Sequence, residues 1–105
     1  MSRKAELLEM IKIDPKDPFL IYALSLEIAK EGNIEKAIQT LQKLQIDHPD
    51  YLGLYHQLAH WQLQLEHFKD GLKTLELGIE IAKKQGNNKA ANEMNDMHWQ
   101  YSDDD

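Results

Sequence analysis

The sequence predicts an all-α protein, an α-solenoid of antiparallel helix pairs, and three observations carry that reading. Apolar residues recur at helical spacing along nearly the whole chain. The pattern returns with a period of 34 residues. Punctuation is sparse: three Pro and five Gly among 105 residues leave room for long regular elements.

The elements follow in order. Helices are predicted over 2–13, 18–31, 34–47, 51–65, 68–84 and 88–101, with Ser102–Asp105 as an acidic, solvated tail. Asp17 caps the second helix with Pro18 at its first position, and Gly32 supplies a left-handed stop. Asp50 is expected to cap the fourth helix after Pro49. Gly86 ends the fifth, and Asn87 or Asn88 caps the sixth. Within the first period Ile21, Leu24, Ser25 and Ile28 form one buried stripe, and Ile34, Ala37, Ile38, Leu41 and Leu44 form the next. The second period gives Leu54, Leu58, Trp61 and Leu65, then Phe68, Leu72, Leu75, Ile79 and Ala82. Connections of a few residues make successive helices antiparallel. Two helices per period, stacked period on period, make a solenoid rather than a closed bundle.

Composition narrows the function classes. A chain of this length is one small domain or a short repeat array, and 42% apolar residues against 29% charged make it too hydrophobic for general disorder. Twelve basic residues against eighteen acidic give a net charge of −6, which disfavours nucleic acid and anionic membranes as partners. The absence of cysteine excludes a disulfide framework, a thiolate zinc site and thiol catalysis. That absence fits a reducing compartment, and a cytoplasmic location is expected. The longest apolar run, Phe19–Leu24, is far too short to span a membrane. The amino end lacks the apolar core of a signal peptide. The Met start and polar end are read as those of a complete chain.

The offset of 34 pairs Pro15 with Pro49, Leu7 with Leu41 and Leu75, Leu20 with Leu54, and Leu24 with Leu58. It also pairs small residues, Ser25 with Ala59 and Ala37 with Gly71. This pattern resembles the tetratricopeptide repeat family over residues 2 to about 84. The implied organisation is a single domain over 1–101: a half-repeat helix, repeats at about 18–51 and 52–85, and a capping helix at about 88–101. Departures are visible. Gln62 stands where a large apolar residue is usual, Glu66 replaces the turn glycine, and the third Pro is missing. The stripe Leu54, Leu58, Trp61 and Leu65 suggests that the fourth helix has rotated its buried face toward the fifth. Gly71 and Gly78 mark close helix approach, since an interior glycine otherwise costs about 1 kcal/mol. The last helix carries Ala90, Ala91, Met94, Met97, His98 and Tyr101 on one side and reads as a cap, with Lys89, Asn92, Glu93, Asn95 and Asp96 on its other face for solubility.

Signals for catalysis are absent: no Gly-rich phosphate loop, no GxSxG elbow and no HExxH. His56 and His60 lie one helical turn apart, but two imidazoles make an incomplete zinc site, so no metal or cofactor is expected. His48, His67 and His98 are expected to be structural or solvated. Helical geometry places Phe19, Tyr22, Leu26, Ala29 and Lys30 on one arc of the second helix, away from its buried stripe. The matching arc of the fourth helix is Gly53, His56, His60, Leu63 and Gln64, with Gln57 at its edge. In tetratricopeptide folds the leading helices line a concave groove that holds a partner's peptide. The resemblance therefore implies a protein-binding site at Phe19, Tyr22, Leu26, Lys30, His56, Gln57, His60 and Gln64. Burial of Phe19 and Tyr22 under helix 2–13 or under a neighbouring chain is the competing reading.

A non-enzymatic adaptor or scaffold is thus expected. Chaperone-binding members of the family clamp a terminal carboxylate with Lys, Asn and Arg. Here Tyr22, Leu26 and Gln57 stand at those places and no third leading helix fits the pattern, which argues against a clamp. The alternative function is a self-associating unit that dimerises through an uncapped end carrying Leu7, Leu8, Ile11 and Ile13. Helical repeats that read single bases need a basic groove, and Lys30 alone does not make one.

Overall fold

Left-handed residues end three of the helices and thereby set the lengths of the fold. The computed structural model describes residues 2–102, in which six helices and no strand are found: α1 (Arg3–Ile13), α2 (Pro18–Lys30), α3 (Ile34–Asp47), α4 (Gly53–Gln64), α5 (Phe68–Lys84) and α6 (Asn88–Ser102). No helix among the described residues is long and apolar enough to cross a membrane. Asp103–Asp105, the greater part of the acidic tail expected from the sequence, lie outside the described residues.

Gly32, Glu66 and Gly86 adopt φ of 90°, 64° and 73°. At each, the following N–H reaches back to the carbonyl five residues earlier: Asn33 to Ile28 (3.3 Å), His67 to Gln62 (2.8 Å) and Asn87 to Ala82 (2.8 Å). These bonds satisfy carbonyls that a helix end leaves open. Glycine adopts this conformation freely, whereas a side chain there costs roughly 1–2 kcal/mol. Glu66 carries that cost because its turn is shaped by the same pair of hydrogen bonds. Glu66→Gly is accordingly expected to stabilise the protein by about 1 kcal/mol. A thermal melt should show the midpoint rising by several degrees, and an unchanged or lower midpoint would refute the assignment of strain to this residue.

Helix starts follow the sequence except at α4. Asp17 accepts from the Phe19 N–H (2.9 Å), Asn33 from Lys36 (3.1 Å) and Asn87 from Ala90 (3.0 Å). Asp50 does not cap α4. The helix begins at Gly53, two residues later than the predicted 51, and Leu52 at the cap position makes no side-chain cap bond.

The chain divides after Tyr51 into two compact units, a division that coincides with the end of the first 34-residue period. In the first unit, Leu7 of α1 packs with Leu20 and Ala23 of α2, with Ile11 beside them. Lys4 and Glu31 pair at 3.1 Å. Ala37, Leu41 and Leu44 are sealed from solvent along α3. The expected buried stripe of α2 is only partly closed: Ser25 and Ile28 are buried, but Ile21 and Leu24 remain half-buried.

In the second unit α5 packs against both α4 and α6. Leu54, Tyr55, Leu58, Ala59, Leu75, Ala82 and Met94 are almost completely buried. Burying each large aliphatic side chain contributes roughly 1.5–3 kcal/mol. Gln62 corrects the expectation of a rotated α4. It is 4% exposed, with Tyr55, Leu58 and Ala59 buried beside it in the repeat register. Its Oε1 accepts from the Thr74 hydroxyl at 2.6 Å, which satisfies a polar group where an apolar one is usual. Leu54, Leu58 and Trp61 are buried as well and Leu65 is half-buried, so α4 is covered on a broad arc rather than turned to a new one.

The two interior glycines mark close helix approach. A Cβ at Gly71 would lie 2.7 Å from Leu63 Cγ and Cδ2, and one at Gly78 would lie 2.7 Å from Tyr55 Cβ and 2.6 Å from Met94 Sδ. The inward side of α6 is Ala91 and Met94, flanked by half-buried Ala90, Met97 and His98. His98 Nε2 lies 2.9 Å from Glu76 Oε2, and the Tyr101 ring stacks on Phe68 at 6.5 Å.

Candidate functional site

The expected binding residues fall in both units, and each set is held by its own helix. In the first unit, the Asp17 cap and Pro18 fix the start of α2 and set the rotation of the helix. Leu20 and Ala23 turn toward α1, and Ser25 and Ile28 are buried. What remains outward includes Phe19, 53% exposed, together with half-buried Tyr22, Leu26 and Ala29 and exposed Lys30.

Tyr22 leans on Tyr51, ring centroids 5.8 Å apart and tilted by 53°. This is a favourable arrangement for aromatic quadrupoles. Tyr51 titrates above the ordinary tyrosine value, first because burial disfavours its phenolate and then because Tyr22 and Asp17 stand nearby. The Tyr51 phenol is therefore neutral at physiological pH. Lys30 stays near its own helix through Glu27, 3.5 Å away. Such an exposed pair contributes little to stability.

In the second unit, His56, His60 and Gln64 are exposed along α4 and Gln57 is half-buried. Leu63, expected on the same arc, is instead 5% exposed and fills the space that Gly71 leaves open. His56 and Gly53 line a cleft of about 310 Å³ together with Leu52 and with Asn87, Ala90, Glu93 and Met94 from the start of α6. Its lining contains no Lys or Arg. No group of three or more His, Cys, Asp or Glu residues is placed to hold a metal ion among the described residues.

The contribution of α6 is what sequence reasoning missed. That helix was expected only as a cap, yet it stands beside α4 and shares the cleft with it. The signal was obscured because α5 has 17 residues where α3 has 14 and no third Pro marks its end, although α6 begins as far after α4 as α4 begins after α2. The polar residues Lys89, Asn92, Glu93, Asn95 and Asp96 are exposed as expected, and Glu93 among them lines the cleft.

Comparison with known proteins places this architecture. No family model matches the sequence, and no curated protein is similar enough to be matched. Solved structures do match. The chain is 34% identical to a tetratricopeptide repeat domain protein from Salinibacter ruber determined in solution, over 85% of this chain and 90% of that one, with a TM-score of 0.81. A crystal structure of a tetratricopeptide repeat domain protein from the same organism gives 33% identity over 81% of this chain and 96% of that one, with a TM-score of 0.76. The TPR2B domain of yeast Sti1, solved as a complex with pHsp70, shares the fold at a TM-score of 0.85 and 22% identity, over 94% of this chain and 79% of that one. With the 34-residue period, the antiparallel helix pairs and these similarities together, the chain belongs to the tetratricopeptide repeat family.

Proposed function

We propose that the chain is a non-enzymatic protein-interaction module, an adaptor or scaffold holding a short segment of a partner protein on the outward faces of α2 and α4. One observation carries this reading. Phe19, Tyr22 and Leu26 on α2, and the His56 cleft with His60 on α4, stay open on helices held in place by buried Leu20, Ala23, Ser25 and Ile28 and by buried Leu54, Tyr55 and Leu58. Aromatic anchors beside adaptable polar groups are common binding chemistry. The complex of the yeast Sti1 domain with pHsp70 supports the reading at the level of the fold.

A clamped terminal carboxylate is not part of this proposal. Tyr22, Leu26 and Gln57 carry no positive charge, and the α4–α6 cleft is lined by Glu93 rather than by a cation. Affinity should be micromolar, about 8 kcal/mol, because a small face repays only part of the ordering of a flexible segment.

The test is capture of partners from a lysate of the source organism with the wild-type chain and with Phe19→Ala/His56→Ala/His60→Ala. All three residues are exposed, so the variant should keep the wild-type circular dichroism spectrum and melting point. Proteins retained by the wild type and lost by the variant are the expected result. Equal recovery by both baits would move binding away from these faces.

Self-association is the second reading. Of the four residues expected at an open amino-terminal end, Leu7 is buried, which removes it from any such surface, and Ile11 is half-buried against it. Leu8 (42% exposed) and Ile13 (86%) remain, joined by Met10. Sedimentation equilibrium over a hundredfold range of concentration decides it, since a constant monomer mass excludes dimerisation.

A further inference from the structure

A second open surface lies on the first unit, away from the face considered so far. Ile21 and Leu24 occupy core positions of the repeat yet are half-buried, whereas Tyr55 and Leu58, 34 residues later, are 2% and 1% exposed. The uncovered pair forms the floor of a cleft of about 340 Å³ between α2 and α3, with Leu44 beneath it. Its wall is α3 from Lys36 to Asp47, with the cap residue His48 beyond it, a helical run of about 17 Å at 1.5 Å per residue. An elongated apolar trough of that length suits a three-turn amphipathic helix.

Charge selects the occupant. Lys36 and Lys43 both line the cleft, two turns apart on one side of α3, with Thr40 between them. No carboxylate among the described residues is within ion-pair distance of Lys36. Lys43 pairs with Asp47, 3.7 Å away, which also lines the cleft, so the lining carries two ammonium groups against one carboxylate. In a chain of net charge −6, this lip is locally cationic. Carboxylates beside the apolar anchors of an incoming helix would meet both ammonium groups, and lysines in their place would be repelled.

We infer that the α2–α3 cleft is a docking site for an acidic amphipathic helix of a partner protein, seated by aliphatic side chains on Ile21, Leu24 and Leu44 and oriented by Lys36 and Lys43. The site is independent of the α2 and α4 faces proposed above. Its area is small, so binding is weak and exchanges rapidly.

The experiment uses the full chain, labelled for NMR, and two synthetic 16-residue helical peptides with the same leucine spacing. One carries Glu beside the leucines and the other Lys. The acidic peptide should shift the Ile21, Leu24, Thr40 and Leu44 signals with saturable, sub-millimolar binding and leave His56 and His60 unmoved. The basic peptide should bind at least about tenfold more weakly. Lys36→Glu/Lys43→Glu changes two exposed side chains and should reverse that preference. Ile21→Tyr, which installs the residue found 34 positions later, should fill the cleft and abolish binding of both peptides while the melting transition stays cooperative. The proposal is overturned if neither peptide shifts these residues at millimolar concentration, if both bind equally, or if charge reversal leaves the preference unchanged.

Discussion

Leu75→Asp is expected to unfold the second unit. Leu75 is fully buried near the middle of α5, at the position that repeats Leu7 and Leu41. Removing the side chain alone, as in Leu75→Ala, costs about 2–5 kcal/mol through lost transfer energy and the cavity left behind. A carboxylate placed there adds several kcal/mol of desolvation with no cation to offset it. A domain of this length has roughly 5–15 kcal/mol in total, so the aspartate consumes most or all of the stability. Thermal melts followed by circular dichroism should show a cooperative transition in the wild type, a lowered one in Leu75→Ala, and loss of helical signal at 25 °C in Leu75→Asp. Leu41→Asp makes the same test in the first unit, where Leu41 is equally buried. An aspartate variant melting with the wild type would mean that these leucines are not the core positions of the repeat.

The expected severity rests on features the sequence displays openly. Leu7, Leu41 and Leu75 share one offset, and Asp17 with Pro18, and Gly32 with Asn33, announce helix ends through local chemistry. Such signals need only neighbours in the chain, which is why five of the six helices begin within a residue of their expected position. What the sequence concealed depends on partners distant along it. Gln62 reads as a defect until Thr74, twelve residues away, donates to it. Leu63 reads as groove-facing until Gly71 leaves it a place to pack. Leu52 replaces Asp50 at the start of α4 because the turn after Pro49 runs further than local capping chemistry indicates.

The outward faces were legible to the same degree. Phe19, Lys30, His56, His60 and Gln64 are exposed, as helical geometry placed them, because rotation about a helix axis follows once the buried stripe is known. Asn87, Ala90 and Glu93 could not be placed that way. Their approach to His56 depends on how α6 returns after an α5 longer than its counterpart. The half-open state of Ile21 and Leu24 was equally invisible, since periodicity reports which way a side chain points and not whether anything covers it.

Gly78→Ala should lower the melting temperature even though alanine is the better helix former. Substitution of an interior glycine by alanine contributes about 1 kcal/mol in favour of the helix, so the sign depends on what the new methyl meets. At Gly78 it would sit 2.7 Å from Tyr55 Cβ and 2.6 Å from Met94 Sδ. The thioether can swing aside, but Tyr55 Cβ is bonded to the α4 backbone and moves only if α4 shifts against α5. Forcing a methyl into a packed site of this kind costs about 1–3 kcal/mol. The net expectation is a loss of about 1 kcal/mol and a midpoint lowered by several degrees. Gly71→Ala provides the control. Its close neighbours, Leu63 Cγ and Cδ2, belong to a side chain that can change rotamer, so this variant should stay nearer the wild-type midpoint. If Gly78→Ala instead melts higher than the wild type, the helices do not approach closely there, and Tyr55 and Met94 must pack against α5 in some other way. Measuring both variants together separates helix propensity, which is common to the two, from contact with a neighbour that cannot yield.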